Sequence, residues 1–501
     1  MHAAALIRSA AAEPCRPWPR HIVGEADWAT LARALDGDPL ILLALWADTT
    51  HIHALFLDEN GRRSGMAVLP VSTAVEHGAY SALSASRPEA AWYERMIQDL
   101  WGHVADGAAD LRPWLDHGHW PVVRPLSPRP MPPEQPADRP EFNLPVGPGM
   151  MHVPIGPIWG LAEEAAHLRL AVEGNRIVRA ESRLGYAHKG TLALMRGKSP
   201  RAAARFAARL SADATVAHSM AFAQATEAAL DAAVPDRAIV LRAAMAEIER
   251  IAGHLGDLAE QARLAGADGI HARFGVLREA LLRATEVAFG HRMMMDCVVP
   301  GGVVADITTE GRQALLRAAG RLATDLPGLR QAHEGSALAA RLGGIGTVRP
   351  DWASRFSVGG VVGRAAGRAF DARDFMPLYD EVGFWRSAGG AGDAGARAAI
   401  RLAEIGESLR LLGMFLERLP QGAVSVALPA TSGEGIGCAE SIRGDVWHWL
   451  RLDHGQIASV FPRDPGWALW PLCESVLRGE SAEDVALIRC SLGLPGSGMD
   501  L

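Results

Sequence analysis

The chain has 501 residues, a formal net charge of −7, and hydrophobic and charged fractions of 49% and 21%. This length exceeds one ordinary core, so we expect about two to four structural units. The composition excludes a disordered chain, and the negative charge argues against nucleic acid as a partner, because phosphate binding needs a basic face.

The apolar segments are too short for a direct membrane span, because crossing a bilayer takes about 18 or more consecutive apolar residues. The N-terminal apolar stretch is interrupted by Arg8, which favours a cytoplasmic protein over a secreted one. The cysteines form no C-x-x-C pair, so we expect neither a disulfide framework nor a metal cluster held by them. They are Cys15, Cys297, Cys438, Cys473 and Cys490.

The first part of the chain has the pattern of a small α+β unit. Strand-like apolar runs at 40–46, 51–57 and 65–71 are separated by short polar turns, which predicts a meander. A helical pattern follows at 89–101. We therefore place an α+β domain at 1–120.

A proline-rich segment at 121–148 is typical of an extended linker and separates the second domain, 149–501. This domain begins with a predicted hairpin of short strands at 167–172 and 176–180. Long helical patterns then dominate, which predicts a mostly helical bundle with short peripheral strands and an α+β fold class overall. The predicted helices are 200–230, 237–265, 272–295, 310–326 and 394–416.

A series of short motifs runs along nearly the whole chain, except roughly residues 330–395. They lie at 91–102 (AWYERMIQDLWG), 110–112, 156–157, 184–190 (LGYAHKG), 249–258 (ERIAGHLGDL), 277–279, 289–292 (FGHR), 300–303 (PGGV), 433–437 (GEGIG) and 443–444. In order and spacing they resemble the large subunits of hydrogenase-4 and formate-hydrogenlyase complexes, the group 4 [NiFe] hydrogenases. That family is related to the fused C and D subunits of respiratory complex I.

The resemblance implies particular partners and a cofactor. Such large subunits pair with an iron-sulfur small subunit and dock on antiporter-like membrane subunits at the inner face of the cell membrane. In the hydrogenases, two C-x-x-C pairs in the large subunit hold a Ni-Fe centre.

This sequence departs from the family at the four cysteine positions. Counted from the motifs, these positions are occupied by Ser211, Ala214, Pro495 and Gly498. A nickel centre of this kind needs soft, anionic thiolates, which none of the four supplies. We therefore expect no metal site and no cofactor in this chain, with an iron-sulfur cluster in a partner subunit. Leu192 also stands where the family has an acidic proton relay, and a hydrocarbon side chain cannot carry a proton.

The complex I branch of the family implies a different reaction, the reduction of quinone. The two positions that would hydrogen-bond the quinone head are occupied by Trp159 and Ala212. Neither residue supplies the expected polar group, so quinone chemistry at the usual place is not predicted.

Three polar residues remain as candidates for the cavity: His188, His218 and Arg443. For the two histidines we favour a structural interpretation, with hydrogen bonds to backbone or to buried neighbours. Arg443 follows a Gly-rich loop and is equally compatible with a cavity role and a structural clamp. Glu247, Arg250 and His254 share one helical face, where an ion pair is the structural interpretation and a charged path toward the membrane arm is the alternative.

These observations lead to one functional hypothesis and two alternatives. The hypothesis is a large subunit without its own Ni-Fe centre, which docks an iron-sulfur subunit to ion-translocating membrane subunits. In the first alternative, a remodelled cavity still reduces quinone or another acceptor. In the second, the chain is an assembly or regulatory module outside electron transfer.

Overall fold

A computed structural model describes residues 2–59, 68–75, 77–132, 142–158 and 164–501. The start of the predicted strand at 65–71, part of the predicted linker and Trp159 lie outside these ranges. Small sheets and long helices alternate along the chain, which confirms the predicted α+β class. The division at 121–148 stays a prediction about domain organisation.

The N-terminal region is built around one twisted sheet. Its strands are β1 (Ala11–Glu13), β2 (Arg20–Val23), β3 (Ile41–Ala47), β4 (His51–Leu57) and β5 (Val68–Ala74), and a small pair is formed by β6 (Ala79–Ser81) and β7 (Val104–Asp106). The order β1-β2-β5-β4-β3 contains the predicted meander, because β3, β4 and β5 pair antiparallel. Strand β3 is buried along its whole length, so both faces of the sheet are covered. The helices of this region are α1 (Ala3–Ser9), α2 (Glu25–Ala34) and α3 (Ala91–Trp101).

The predicted hairpin after the linker is confirmed. Strands β8 (Met150–Ile155), β9 (His167–Glu173) and β10 (Arg176–Arg183) form a three-stranded antiparallel sheet in the order β10-β9-β8. This sheet packs against helix α15 (Gly466–Leu477), and it leads the chain into the segment that carries His188.

A bundle of long helices forms the centre of the molecule. The long and short helices of this region are α4 (Thr191–Met195), α5 (Pro200–Ala207), α6 (Thr215–Leu230), α7 (Asp236–Leu264), α8 (Asp268–Phe289), α9 (Thr309–Glu334), α10 (Ala337–Leu342), α11 (Pro350–Arg355), α12 (Gly360–Ala365), α13 (Pro377–Glu381) and α14 (Ala394–Glu417). A two-strand ladder, β11 (Val298–Val299) and β12 (Gly302–Val303), lies between α8 and α9.

Three helix predictions had wrong boundaries. The Ala-rich run 200–230 is broken at 208–214, because the Glu249 carboxylate accepts hydrogen bonds from the backbone N–H groups of Val216 and Ala217 and starts α6 there. Helix α8 ends at Phe289 rather than at 295, because Gly290 is left-handed with φ of 77°. Helix α9 continues beyond 326, through Pro327, and buries Leu329 in the core.

The C-terminal region closes the bundle with a second antiparallel sheet and two helices. The sheet order is β13 (Gly433–Ser441), β14 (Gly444–Asp453) and β15 (Gln456–Arg463), and the helices are α15 and α16 (Val485–Leu492). Strand β13 lies directly on α6. The approach is so close that a Cβ atom added at any of three alternate glycines of the strand would overlap a carbonyl oxygen of the helix. The overlapping pairs are Gly433 with Ala229, Gly435 with Ala225 and Gly437 with Ala221.

Candidate functional site

The structure brings together the two segments that contain the predicted ligand positions. One is the break between α5 and α6, with Ser211 and Ala214, and the other is the segment 493–501 after α16. The Ser497 hydroxyl donates to the Glu164 carboxylate, and its oxygen lies 3.0 Å from the Leu210 carbonyl oxygen. The Lys189 ammonium donates to the Leu210 carbonyl oxygen at 3.0 Å and to the Ser497 carbonyl oxygen at 3.5 Å. Motif spacing therefore identified two segments that meet in space.

The side chains at the four positions do not fit a thiolate-held centre. The Ser211 hydroxyl donates to the Asp213 carboxylate at 3.0 Å, and Ala214 is buried with only a methyl group. The Pro495 carbonyl oxygen accepts from the indole N–H of Trp470 at 2.6 Å. Within the described ranges, no group of three or more His, Cys, Asp or Glu side chains is arranged to hold a metal ion.

Gly498 has no side chain, and the carboxylate of Asp464 lies against its Cα. A Cβ atom built at position 498 would overlap the carboxyl carbon and one oxygen of Asp464, and it would lie 3.0 Å from the Cβ of Asp464. Asp464 is 1% exposed.

A cavity of about 220 Å³ opens beside these segments. Acidic and basic groups share its wall with small residues and one thiol. Among the lining residues are Ala212, Asp213, Asp257, Arg443, Cys490 and Pro495. Ala212, one of the two positions where the family would bind quinone, therefore contributes a methyl group to the wall, and Trp159 lies outside the described residues. Burial raises the pKa of Cys490 to about 12, so this thiol is protonated at neutral pH.

Arg443 and Arg489 are the two cations among the described residues of the cavity wall, and Arg443 is held between two acids. Its Nε donates to Asp213 Oδ2 at 2.8 Å, and its Nη1 donates to Asp257 Oδ2 at 2.5 Å. The same Asp257 oxygen accepts from Arg401 at 2.9 Å. Burial alone would raise the pKa of Asp257, but the charges of Arg443 and Arg401 lower it below its ordinary value. Arg443 thus links the segment before α6 to α7 as a charged clamp.

His218 is fully buried on α6 and belongs to a chain of three polar side chains. Its Nε2 lies 3.0 Å from Asp464 Oδ2, and its Nδ1 lies 3.1 Å from His448 Nε2. Burial, together with the neighbouring His218, holds the pKa of His448 well below its usual range, so His448 is neutral. Asp464 can only accept, so His218 donates from its Nε2 to Asp464, and its Nδ1 forms the second hydrogen bond with His448.

His188 lies at the opposite edge of the same region, against backbone. Its Nδ1 donates to the Asp500 carbonyl oxygen at 2.6 Å, and its ring stacks on Trp120 with centroids 4.4 Å apart. The Asp500 carboxylate accepts from the N–H groups of Gly185 and Ala187 at 2.7 and 2.8 Å. Burial raises the pKa of Asp500 to about 7. Leu192 is buried on α4 and lines a separate cavity.

The predicted polar face of α7 is part of a larger buried ion network. Arg250 donates to Glu247 at 3.3 Å, and His254 Nε2 lies 2.8 Å from Glu404. Arg364 then joins Glu404 to further acids on other elements, Asp371 at 2.9 Å and Glu440 at 2.7 Å. The sequence pattern predicted the pair within the helix. The partners on other elements have no local signal.

Sequence reasoning missed several residues that shape the site, chiefly Glu164, Lys189, Asp464 and Asp500. Glu164 accepts from the backbone N–H groups of Gly496 and Ser497 at 2.6 and 2.5 Å. Lys189 was inside a recognised motif, so its charge could have been weighed. Asp464 lies in no motif, and it is 246 residues from His218.

Comparisons with known proteins agree with this architecture. The family model of the 49 kDa subunit of respiratory-chain NADH dehydrogenase matches residues 266–432. Formate hydrogenlyase subunit 5 of Escherichia coli (strain K12) is 28% identical over 431 residues, which cover 82% of this chain and 75% of that protein. The NADH dehydrogenase (ubiquinone) iron-sulfur protein 2 of Arabidopsis thaliana is 32% identical over 273 residues, which cover 53% of this chain and 69% of that protein.

A solved structure has the same fold. It belongs to the membrane-bound sulfane sulfur reductase, an archaeal respiratory membrane complex, and it aligns with a TM-score of 0.67 and 24% identity. The alignment covers 72% of this chain and the whole of the other chain.

Proposed function

Because this chain belongs to the family that contains the 49 kDa subunit of respiratory-chain NADH dehydrogenase and the large subunits of membrane-bound hydrogenases, we propose that it is the large subunit of a complex-I-related membrane oxidoreductase. In this complex it holds an iron-sulfur small subunit and connects it to antiporter-like membrane subunits. It lies peripherally on the inner face of the cell membrane and has no Ni-Fe centre of its own.

One observation carries the proposal: the two segments that contain the predicted ligand positions pack together although none of the four positions supplies a thiolate. Lys189 joins the segments through hydrogen bonds that need no metal, and Glu164 holds the C-terminal segment through the backbone of Gly496 and Ser497. A scaffold that keeps its shape with a different donor set suits a subunit whose task is assembly and connection.

The membrane contribution in this proposal comes from partners. Over the part of the chain that the structure describes, none of the helices is long and apolar enough to cross a bilayer. Family relatives are named as parts of membrane-bound complexes, which supports the same assignment for this chain.

Purification of the tagged chain from its native host in mild detergent tests the assembly. We expect an iron-sulfur protein and polytopic membrane proteins to co-purify with the chain. We also expect the chain to remain on membranes in high salt with chelator for as long as it is bound to these partners. Recovery of the chain alone, or with only soluble proteins that carry no cluster, would contradict the proposal and favour the assembly or regulatory alternative.

The cavity beside Arg443 supports a second candidate, in which an electron acceptor such as a quinone binds there in a remodelled way. Arg443 is one of the two arginines among the described residues of the cavity wall, and its guanidinium could donate to a carbonyl oxygen of an acceptor. Acceptor reduction by the whole complex should then fall strongly in Arg443→Ala and persist in Arg330→Ala, where Arg330 forms an exposed ion pair with Glu334. Equal activity in both variants would exclude this candidate.

A further inference from the structure

Asp464 occupies the space that a side chain at position 498 would need. The overlap involves the carboxyl carbon as well as an oxygen, and the Cβ atoms would be 3.0 Å apart. A rotation that moved only one terminal oxygen would therefore leave the conflict in place. The backbone of Gly498 does not have the positive φ that favours glycine. Glycine is therefore needed at 498 because of the neighbouring side chain and not because of the main chain.

Asp464 is also unable to move aside cheaply. Its Oδ2 accepts from His218 at 3.0 Å, and its Oδ1 accepts from the backbone N–H of Gly466 at 2.7 Å, where α15 begins. The carboxylate is 1% exposed, so displacement would leave buried polar groups without partners. The same carboxylate thus fills space, accepts from His218 and fixes the turn before α15.

We propose that Asp464 is a built-in replacement for the missing fourth ligand side chain. Its carboxylate occupies the volume of a residue at 498 and provides the acceptor for His218, so a thiolate-held metal centre is excluded by an occupied space as well as by missing cysteines. This inference depends on the proposed function in one respect, which is that position 498 is assigned as a former ligand position.

The opposite segment fits this inference. Lys189 donates to the carbonyl oxygens of both Leu210 and Ser497, so position 498 is held close to the break before α6 by protein groups alone. Restoring cysteines at 211, 214, 495 and 498 would place the last of them against Asp464.

A double-mutant cycle on the full chain tests the occupied space. We expect Gly498→Ala to lower the midpoint of thermal unfolding by about 3 °C or more in the native background, because the added Cβ overpacks the site. In an Asp464→Gly background the same change should shift the midpoint by less than about 1 °C, since the obstacle is gone. Gly320→Ala is the matched control, because nothing lies within 4 Å of a Cβ at that exposed helical glycine.

Equal shifts for Gly498→Ala in the two backgrounds would overturn the inference. The double-mutant cycle measures the steric coupling between positions 464 and 498. Its result does not depend on the metal content of the natural complex, so a failure of this inference can be distinguished from a failure of the proposed function. Nickel in the purified complex would refute the proposed function and would leave the result of the double-mutant cycle unchanged.

Cobalt(II) binding provides the second measurement. The chain with all four cysteines restored should show no more thiolate-to-cobalt charge-transfer absorption than the native chain, whose own five cysteines give the background. The same variant with Asp464→Gly should bind about one cobalt ion per chain with that absorption. Strong binding while Asp464 is present, or no binding in either variant, would show that Asp464 does not exclude the metal.

Discussion

Tyr93 of α3 stacks on Trp467 of α15, with ring centroids 4.4 Å apart and an interplanar angle of 15°. The Tyr93 hydroxyl donates to the Leu43 carbonyl oxygen at 3.1 Å, and Arg463 donates to the same oxygen at 3.2 Å. The N-terminal sheet therefore joins the C-terminal part of the chain through a buried aromatic and polar contact. The aromatic pair places the first predicted domain directly against the region that contains Asp464.

Replacement of Tyr93 by alanine should destabilise the whole chain rather than release a separate domain. The side chain is 4% exposed, and loss of a buried aromatic ring typically costs about 3–5 kcal/mol. Urea unfolding followed by tryptophan fluorescence measures the loss. Trp385→Ala is the control, since that ring is 58% exposed and should matter little. A Tyr93→Ala chain with an unchanged midpoint would contradict the interpretation of this contact.

Replacement of Arg443 by alanine should also destabilise the chain, for an electrostatic reason. The change leaves Asp257 buried with one cation fewer, and breaking a buried ion pair typically costs about 3–5 kcal/mol. Arg330→Ala removes an exposed pair and should change the midpoint little. Similar midpoints for the two variants in chemical denaturation would show that Arg443 is not a structural clamp.

Stability should fall as the pH is lowered through about 6.5, and His448 should contribute to this dependence. Its pKa in the folded chain lies well below the ordinary value of 6.5, so the unfolded chain takes up a proton in this range while the folded chain does not. The stabilisation is therefore complete above the unfolded pKa and is lost on acidification, at up to about 1.4 kcal/mol per pH unit.

The variant His448→Phe tests this dependence through the slope of unfolding free energy between pH 5 and pH 7.5. The slope should decrease in the variant, whatever its absolute stability. His119→Gln, at an exposed histidine, should keep the native slope. An unchanged slope in His448→Phe would mean that this histidine titrates alike in the folded and unfolded chains.

Lys189→Met should loosen the C-terminal segment without unfolding the bundle. The ammonium group joins the Leu210 and Ser497 carbonyl oxygens, and a thioether cannot donate to either. Hydrogen exchange at 494–501 should accelerate, while exchange in α7 should stay as in the native chain. Lys198→Met serves as the control cation outside this segment. Native exchange rates at 494–501 in Lys189→Met would show that other contacts alone hold it.

Strong local patterns allowed much of the fold to be predicted from sequence. The helix patterns at 237–265 and 394–416 correspond to Asp236–Leu264 and Ala394–Glu417, because long buried helices repeat apolar residues at a clear period. The meander and the hairpin were predicted from apolar runs of strand length and from the turn residues between them. The break at 208–214 could not be predicted, because the carboxylate that starts α6 comes from Glu249 on another helix.

The assignment of the four ligand positions stays a prediction, and the sequence carries no signal for the contacts between distant residues. Motif spacing located Ser211, Ala214, Pro495 and Gly498, and the structure brings their two segments together. The contact between Asp464 and His218 joins residues far apart in sequence and leaves no periodic signal in either neighbourhood. The role of this contact depends on the shape of a buried space, and that shape cannot be predicted from composition or motif spacing.

Elemental analysis of the complex purified with its natural partners tests the central claim most directly. We predict that iron is present in stoichiometric amounts from a cluster-bearing partner, and that nickel is far below one atom per complex. Nickel near one atom per complex would contradict the account. It would mean that donors other than the four expected thiolates hold a metal in or beside this chain.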